Sequence, residues 1–388
     1  MSLVRQVFHA CGRQLSVLAV VALATGCSTP LQSARRDLYK GDTDKALVYL
    51  NKLNVPKKDR PLFLMARGTI LQAAGKFEES SKDYIEAFTL LQTTETYSLS
   101  KGAGSMVIND SVQDFRGFPF ERTYLHVFTA INHLATGHWE NSAVEARRIL
   151  NSLTPEQRGE YPEDAFSHYM AGFCLEMNGD PSNAALQYHK AAELRSNIDI
   201  DEHGGISLVT TNTPAKDVEP FRDDDKNSAE LICFVFSGHA NYQGQFSYNS
   251  PPYAEIHCDG KKLGRTYLLT DTTELANVSQ AKRAVLNAAK TASRIAIKET
   301  VASSVESEDE LLGMLVRITL FALEQPDDRH WETLPRYMQV ARLPCPPEFE
   351  KLEFVFKTNA GIPIKQLPPR SSVQKKGDTF IAFCRDFE

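Results

Sequence analysis

Cysteine is scarce in this chain, and it has neither a surplus of basic residues nor a long apolar run. Seven cysteines in 388 residues are too few for a fold held together by disulfides. Lysine and arginine total 43 against 49 acidic residues, which argues against a nucleic-acid partner because such proteins normally have a basic surplus. With 42% apolar and 24% charged residues, the composition also argues against a disordered chain or a multi-span membrane protein.

The chain also lacks the short motifs that indicate common catalytic chemistry. It has no H-E-x-x-H pair, no phosphate-binding Gly-Lys-Ser/Thr loop and no G-x-G-x-x-G turn. No two cysteines beyond residue 27 have the C-x-x-C spacing of zinc or thioredoxin-type sites. We therefore expect no cofactor, no metal and no catalytic residues. An enzyme that uses His239 or His257 remains the alternative.

The amino terminus has the features of a secretory signal peptide over residues 1–26. Arg5 and Arg13 precede an apolar run from Leu15 to Leu23, which is shorter than the ~20 residues of a membrane span. The following Ala-Thr-Gly-Cys resembles the bacterial lipobox, with alanine where that pattern prefers leucine. The resemblance implies that Cys27 becomes the acylated amino terminus and binds the lipid membrane. An ordinary cleaved signal peptide with an incidental cysteine is the alternative.

The lipobox resemblance also implies a location. Ser28 follows Cys27, and under the lipoprotein sorting rule a residue other than aspartate here implies the outer membrane, with the protein facing the periplasm. Removing residues 1–26, which carry two arginines and no acid, takes the formal net charge from −6 to −8. Beyond Cys27 an odd number of cysteines remains, for which a Cys233–Cys258 disulfide and buried free thiols are both compatible: Cys174, Cys233, Cys258, Cys345 and Cys384.

Residues 27–195 have the pattern of helical hairpins in series. Four turn glycines separate amphipathic stretches, and small residues recur seven positions before them: Gly41, Gly75, Gly137 and Gly179 follow Ala34, Gly68, Ala130 and Gly172. The first two glycines are 34 residues apart, the tetratricopeptide period. This stretch resembles the tetratricopeptide repeat family, with an insertion at residues 92–119. An irregular helical bundle is the alternative.

Repeat arrays of this kind bind through their concave face. Counting along the first helix of the later hairpins places six apolar and aromatic side chains on that face: Tyr124, Val127, Ile131, Phe166, Tyr169 and Phe173. A contiguous apolar patch marks a contact surface. It predicts a groove that binds an unidentified envelope protein, or one that is filled by the protein's own carboxy-terminal domain, which we favour because large exposed apolar patches are uncommon on monomers.

The rest of the chain predicts a linker over residues 196–226 and a second domain over residues 227–388. The linker is polar and contains Pro214 and Pro220. Strand patterns, then two helical stretches, then strand patterns predict an α+β domain with a mainly antiparallel sheet. The whole chain is then α+β, with a helical repeat array followed by this domain. Three aromatic residues leave a glycan-binding module as a further alternative: Tyr242, Phe246 and Tyr248.

Two segments, residues 121–148 and 327–342, are similar to an uncharacterised family of bacterial tetratricopeptide lipoproteins. Members tend to be encoded beside small lipoproteins of the type that activates peptidoglycan synthases, so the resemblance implies a role in the cell envelope. In the second segment we predict a structural polar network around one indole: Asp328, Arg329, Trp331 and Arg342. The expected function is a membrane-anchored periplasmic scaffold for protein–protein interactions in cell-wall synthesis or export of a surface structure.

Overall fold

A computed structural model describes residues 29–100, 114–209, 229–240, 251–285, 329–364 and 369–387, with Glu299 and Ser303. Cys27, Asp328 and the aromatic residues of the glycan-binding alternative lie outside these ranges. The chain is α+β, with helices first and mixed sheets after them. No helix within the described ranges is long and apolar enough to cross a membrane.

Nine helices occupy the described part of the first half. They are α1 (Thr29–Leu38), α2 (Thr43–Leu50), α3 (Arg60–Ala73), α4 (Phe77–Ser100), α5 (Pro119–Ala135), α6 (Trp139–Ser152), the short α7 (Pro155–Arg158), α8 (Ala165–Met177) and α9 (Pro181–Glu193). The neighbours α1/α2, α3/α4, α5/α6 and α8/α9 pack against one another as hairpins. The first part of the predicted insertion, residues 92–100, continues α4.

Glycine makes both the turns and the close contacts of these hairpins. The four turn glycines have φ between 73° and 82°, a left-handed conformation that other residues rarely adopt. Within the hairpins, a Cβ on Gly68 would lie 2.5 Å from Cε1 of Tyr84, and one on Gly172 would lie 3.0 Å from Cε1 of Tyr188. In these two hairpins glycine is needed in the first helix because a tyrosine of the second helix packs directly on it.

In the part of the chain that the structure describes, ten strands form three sheets. They are β1 (Ile198–Ile200), β2 (Ile206–Leu208), β3 (Ala229–Ser237), β4 (Tyr253–Cys258), β5 (Lys261–Arg265), β6 (Tyr267–Asp271), β7 (Tyr337–Cys345), β8 (Leu352–Lys357), β9 (Arg370–Lys376) and β10 (Thr379–Arg385). The main sheet has the order β6-β7-β3-β10-β9, a smaller one has the order β5-β4-β8, and β1 pairs with β2.

The main sheet is mixed, because β10 pairs parallel with β3 and antiparallel with β9. The sequence patterns predicted a mainly antiparallel sheet and did not indicate this parallel pair. Residues 198–208 lie inside the predicted linker, but in the structure they form the β1–β2 hairpin. Pattern reasoning missed the hairpin because each strand has only three residues, too few to show a period.

The main sheet is the middle of three layers, and β3 shows why. Its residues Ile232, Phe234 and Phe236 belong to a core shared with the helices. The alternate residues Leu231, Cys233 and Val235 belong to a second core shared with the smaller sheet. A strand buried on both faces has a continuous apolar sequence, which accounts for the uninterrupted run from Leu231 to Phe236.

Candidate functional site

One face of the helical half is covered by the main sheet. The six side chains assigned to a partner groove, Tyr124, Val127, Ile131, Phe166, Tyr169 and Phe173, are each 1% exposed or less. The prediction that they bind a partner is therefore wrong for this structure, and the favoured alternative of self-packing describes it. The apolar face that suggested a groove is covered by aromatic side chains of the sheet.

Aromatic rings make the contact between helices and sheet. The ring of Phe173 lies 5.2 Å from that of Phe234 in β3, and the ring of Phe166 lies 5.7 Å from that of Phe236. Both pairs are close to edge-to-face, an arrangement that favours aromatic pairs beyond their buried area. Helix α8 therefore packs directly on strand β3.

Several polar groups of the described residues cross the same interface, and the first is Asp164. It caps the start of α8 by accepting hydrogen bonds from the backbone N–H and hydroxyl of Ser167. The hydroxyls of Tyr124 and Thr270 also donate to its Oδ1, at 3.1 and 3.0 Å. Burial and the neighbouring carboxylate raise the pKa of Tyr124. One carboxylate thus ties two helices to strand β6.

The second polar group is Arg342 in β7, which lies between two carboxylates. Its Nη2 donates to Oε1 of Glu176 in α8, and its Nε donates to Oε1 of Glu230 in β3, both at 2.6 Å. The Arg342 side chain is 7% exposed. Burial lowers its pKa, but the hydrogen bond to Glu176 and the other partners outweigh this and raise it well above the ordinary value. The hydroxyl of Tyr188 also donates to Glu176.

The third polar group is Glu121 at the start of α5. Its Oε2 accepts from the backbone N–H of Phe118, and its Oε1 accepts from the backbone N–H of Trp331, each at 2.7 Å. The indole Nε1 of the fully buried Trp331 donates to the hydroxyls of Thr69 and Thr333 at 3.0 Å. The segment before β7 is thereby fixed to two helices.

The predicted network around the indole is corrected in part. Arg329 pairs with Asp59 at 2.6 Å and stacks its guanidinium over Phe115. Arg342 belongs to the separate cluster with Glu176 and Glu230, and among the described residues it shares no hydrogen-bond partner with Trp331. Trp331 and Arg342 are only eleven positions apart in the chain, which suggested a single network. Proximity in sequence does not reveal which residues each side chain faces.

The two histidines of the enzyme alternative lie in different places. His257 in β4 is 3.6 Å from Glu255, which also pairs with Lys262 and Lys357 at 2.8 and 2.6 Å. Burial would raise the pKa of Glu255, but the two lysines together outweigh it and hold the pKa at about 2. A carboxylate held in its charged form is a poor proton acceptor for catalysis at neutral pH.

His239 lies two residues after the end of strand β3, beside Tyr39 at the end of helix α1. Its exposed ring lies 4.9 Å from the ring of Tyr39. Burial of part of the ring and then the positive charges of Arg35, Arg385 and Arg336 lower the pKa of His239, so it is uncharged at neutral pH. No carboxylate that would orient it as a catalytic base is among these neighbours.

The five described cysteines are buried free thiols. Burial raises the pKa of Cys174 and of Cys345 to about 12, so neither supplies a reactive thiolate. Within the part of the chain that the structure describes, no group of three or more metal-ligating side chains comes together.

Sequence reasoning missed Glu121 and Asp164 as interface residues. Both had a usable signal, because an acid at the third position of α5 and an acid directly before α8 are helix-capping positions.

Comparisons with known proteins add little to this geometry. No family model matches the chain, and no curated protein matches it. Among solved structures, "MamA RS-1 ArsTM double mutant" matches at 14% identity and a TM-score of 0.31, over 44% of this chain and 76% of that one. "MamA 41-end from Desulfovibrio magneticus RS-1" matches at 18% identity and a TM-score of 0.21, over 42% of this chain and 92% of that one. Neither likeness carries an argument about fold or function.

Proposed function

We propose that this protein is a lipid-anchored scaffold on the periplasmic face of the bacterial outer membrane. Its helical half is of the tetratricopeptide type, which the recurring turn glycines and the Gly68–Tyr84 and Gly172–Tyr188 contacts support. It contacts another envelope protein during cell-wall synthesis or export of a surface structure. No arrangement of the described histidines and cysteines favours catalysis over this role.

The position of α1 makes the anchor short. That helix begins at Thr29, two residues after Cys27, and two residues of extended chain reach only about 7 Å. An acylated Cys27 would therefore hold the folded body directly at the membrane surface. Such a protein binds its partner at a fixed height above the lipid, whereas a long linker would let the folded body move away from the membrane surface.

The partner surface lies on the outward face of the second helices, since the apolar face is covered by the sheet. Three large aliphatic side chains occupy the same place there, seven residues after the turn glycine: Val48 at 56% exposure, Val144 at 41% and Leu186 at 52%. This repeated exposure is the observation that carries the proposal. It suits a partner segment with one apolar face, such as an amphipathic helix.

Site-specific photocrosslinking in cells tests the partner surface. Crosslinking residues at Val144 and at Leu186 are expected to capture the same discrete envelope protein. A crosslinking residue at the exposed Lys261 of the small sheet serves as the control and should not capture it. Different proteins from the two positions, or the same protein from Lys261, would contradict a shared partner surface.

Fractionation tests the anchor separately. Cys27→Ser is expected to move the protein from the membrane pellet to the soluble periplasm, because the diacylglyceryl group attaches to the thiol and stable anchoring needs more than one acyl chain. Cys174→Ser, which changes a buried thiol in α8, is the matched control and should remain in the pellet. A Cys27→Ser protein that still pellets would refute lipidation at this residue.

A further inference from the structure

The first helical hairpin differs in charge from the rest of the chain. Residues 29–59, which precede α3, include seven basic and four acidic residues, whereas residues 60–388 include 34 basic and 45 acidic residues. The formal net charge is therefore +3 for the first segment and −11 for the second. An asymmetry of this size makes the two parts of the molecule respond in opposite ways to a charged surface.

Four exposed basic residues lie along one side of this hairpin, and we call them the basic face: Arg36, Lys40, Lys45 and Lys52. Lys40 comes four positions after Arg36 and Lys52 seven positions after Lys45, spacings that repeat on one side of a helix. Arg36 of α1 and Lys45 of α2 meet across the hairpin, because Nε of the first and Nζ of the second lie 3.8 and 3.7 Å from the same oxygen of Asp37. Both side chains are 64% exposed. The basic face therefore extends over both helices.

The acidic residues of the segment only partly neutralise this face. Asp37 is buried and is shared between two bases, and Asp59 pairs with Arg329 at 2.6 Å. Asp42 and Asp44 are exposed, and Asp42 also caps helix α2 by accepting a backbone hydrogen bond. Two exposed acids thus accompany the four bases of the basic face, which leaves this side of the hairpin positively charged.

The basic face is also close to the residue that would carry the acyl group. Arg36 is nine positions after Cys27, and α1 begins after the first two of them. Two extended residues reach about 7 Å and seven helical residues add about 10 Å, so Arg36 can lie no farther than about 17 Å from Cys27. Because α1 and α2 pack as a hairpin, the end of α2 returns toward the start of α1 and brings Lys52 back toward the anchor.

We propose that the basic face binds the anionic phospholipid headgroups of the membrane that holds Cys27, an inference that rests on the proposed anchor. Lysine and arginine attract anionic lipid within about one screening length, about 8 Å at physiological ionic strength. The short anchor keeps the hairpin near this distance, while the net negative charge of the remaining chain is repelled. The contact therefore orients the molecule, with the first hairpin against the lipid and the acidic remainder turned away.

The position of the anchor favours lipid over an acidic protein as the partner of this face. Both would match the charge, but the membrane is the anionic surface that Cys27 brings to the hairpin. A few basic residues give weak, salt-dependent binding, and stable anchoring needs acyl chains in addition. The Cys27→Ser protein is accordingly still expected to leave the membrane pellet at physiological salt.

Vesicle sedimentation of the mature chain with Cys27→Ser tests the basic face without any contribution from an acyl group. The probes are vesicles of phosphatidylglycerol and phosphatidylcholine in equal parts, and vesicles of phosphatidylcholine alone. At about 50 mM salt, where the screening length is about 14 Å, the chain should pellet with the anionic vesicles only, and about 0.5 M salt should release it. Combining Lys40→Gln, Lys45→Gln and Lys52→Gln should lower the partition coefficient about a hundredfold, at roughly fivefold for each lysine.

A second triple variant with the same change in net charge is the matched control. Lys82→Gln, Lys190→Gln and Lys261→Gln remove three exposed lysines outside the first hairpin, and the partition coefficient should stay within about threefold of that of the parent chain. Circular dichroism should be unchanged in both triple variants, because every side chain removed is exposed.

Three results would overturn the proposal: no binding to the anionic vesicles, equal binding to the neutral ones, or equal losses in the two triple variants. None of them would contradict the anchor itself, which the fractionation of Cys27→Ser tests separately. Failure of the anchor would appear in that fractionation and would leave the vesicle result unchanged.

Discussion

The main sheet has two buried faces, and they are built in different ways. The helix-facing side combines aromatic rings with buried polar groups that bond across the interface, among them Asp164, Arg342 and Glu121. The opposite core, against the small sheet, combines apolar side chains and thiols such as Cys233 with an uncharged polar pair, in which Gln339 accepts from the hydroxyl of Thr266 and donates to the carbonyl of Pro252. The helices are therefore held by bonds to buried charged groups, whereas the two sheets are joined by apolar burial and by hydrogen bonds between neutral groups.

This difference has a physical basis. Apolar burial is non-directional, and a buried ion pair fixes an arrangement more strictly than a neutral hydrogen bond because a charge left without its partner is costly. Helix α8 and strand β7 are distant in sequence, and the pair Glu176–Arg342 spans 166 positions. Such elements gain most from bonds that specify their orientation.

The largest expected effect comes from removing the ring at the centre of the helix-facing core. Phe234→Ala should lower the free energy of unfolding by about 4 kcal/mol, because a fully buried phenylalanine leaves a cavity that its neighbours only partly fill. The ring contacts Phe166, Tyr169, Phe173 and Phe383. Urea unfolding followed by circular dichroism measures the loss.

The control for that substitution is Val373→Ala on the edge strand β9. Val373 is 38% exposed, so its truncation should change the free energy of unfolding by less than about 0.5 kcal/mol. If Phe234→Ala were equally mild, the contact between the sheet and the apolar face of the helices would not stabilise the fold.

The next effect tests the polar side of the comparison. Arg342→Met should cost about 3 kcal/mol in the free energy of unfolding, because it leaves Glu176 and Glu230 facing each other without their shared cation. Adding Glu176→Gln and Glu230→Gln to Arg342→Met should restore part of that loss. A triple variant no more stable than Arg342→Met would show that packing of the arginine stem, and not its charge, accounts for the effect.

The sequence allowed the helical half to be predicted better than the sheets. Gly68 and Gly172 indicated close helix contacts because a small residue recurred at one offset from each turn glycine, and Tyr84 and Tyr188 pack there. Strand β3 was evident from its apolar run. The polar edge strand β9 was not predicted, because it is largely exposed and so has no apolar pattern.

The candidate sites were harder to predict than the fold. The six groove residues were recognised as one apolar face, but sequence alone could not decide whether the chain covers that face itself. The partners of Arg342 come from α8 and β3, each more than 100 positions away.

The smallest expected effect concerns Glu255 on the outer face of the small sheet. The pKa of Glu255 is held at about 2, below its ordinary value of 4.5. Its ion pairs therefore stabilise the fold fully at pH values above 4.5. That contribution should be lost as the pH falls from about 4.5 towards 2. Urea midpoints measured at several pH values should show a steeper acid loss for the wild type than for Glu255→Gln. Equal slopes would contradict the assignment.

A double-mutant cycle between Phe173 and Phe234 tests most directly the claim that the protein's own sheet covers the apolar face of its helices. Their rings lie 5.2 Å apart, so the two alanine substitutions should be coupled by about 1 kcal/mol in urea unfolding. The same cycle between Phe173 and Val235, which faces the opposite core, should be additive. Additive effects for Phe173 and Phe234 would contradict the account.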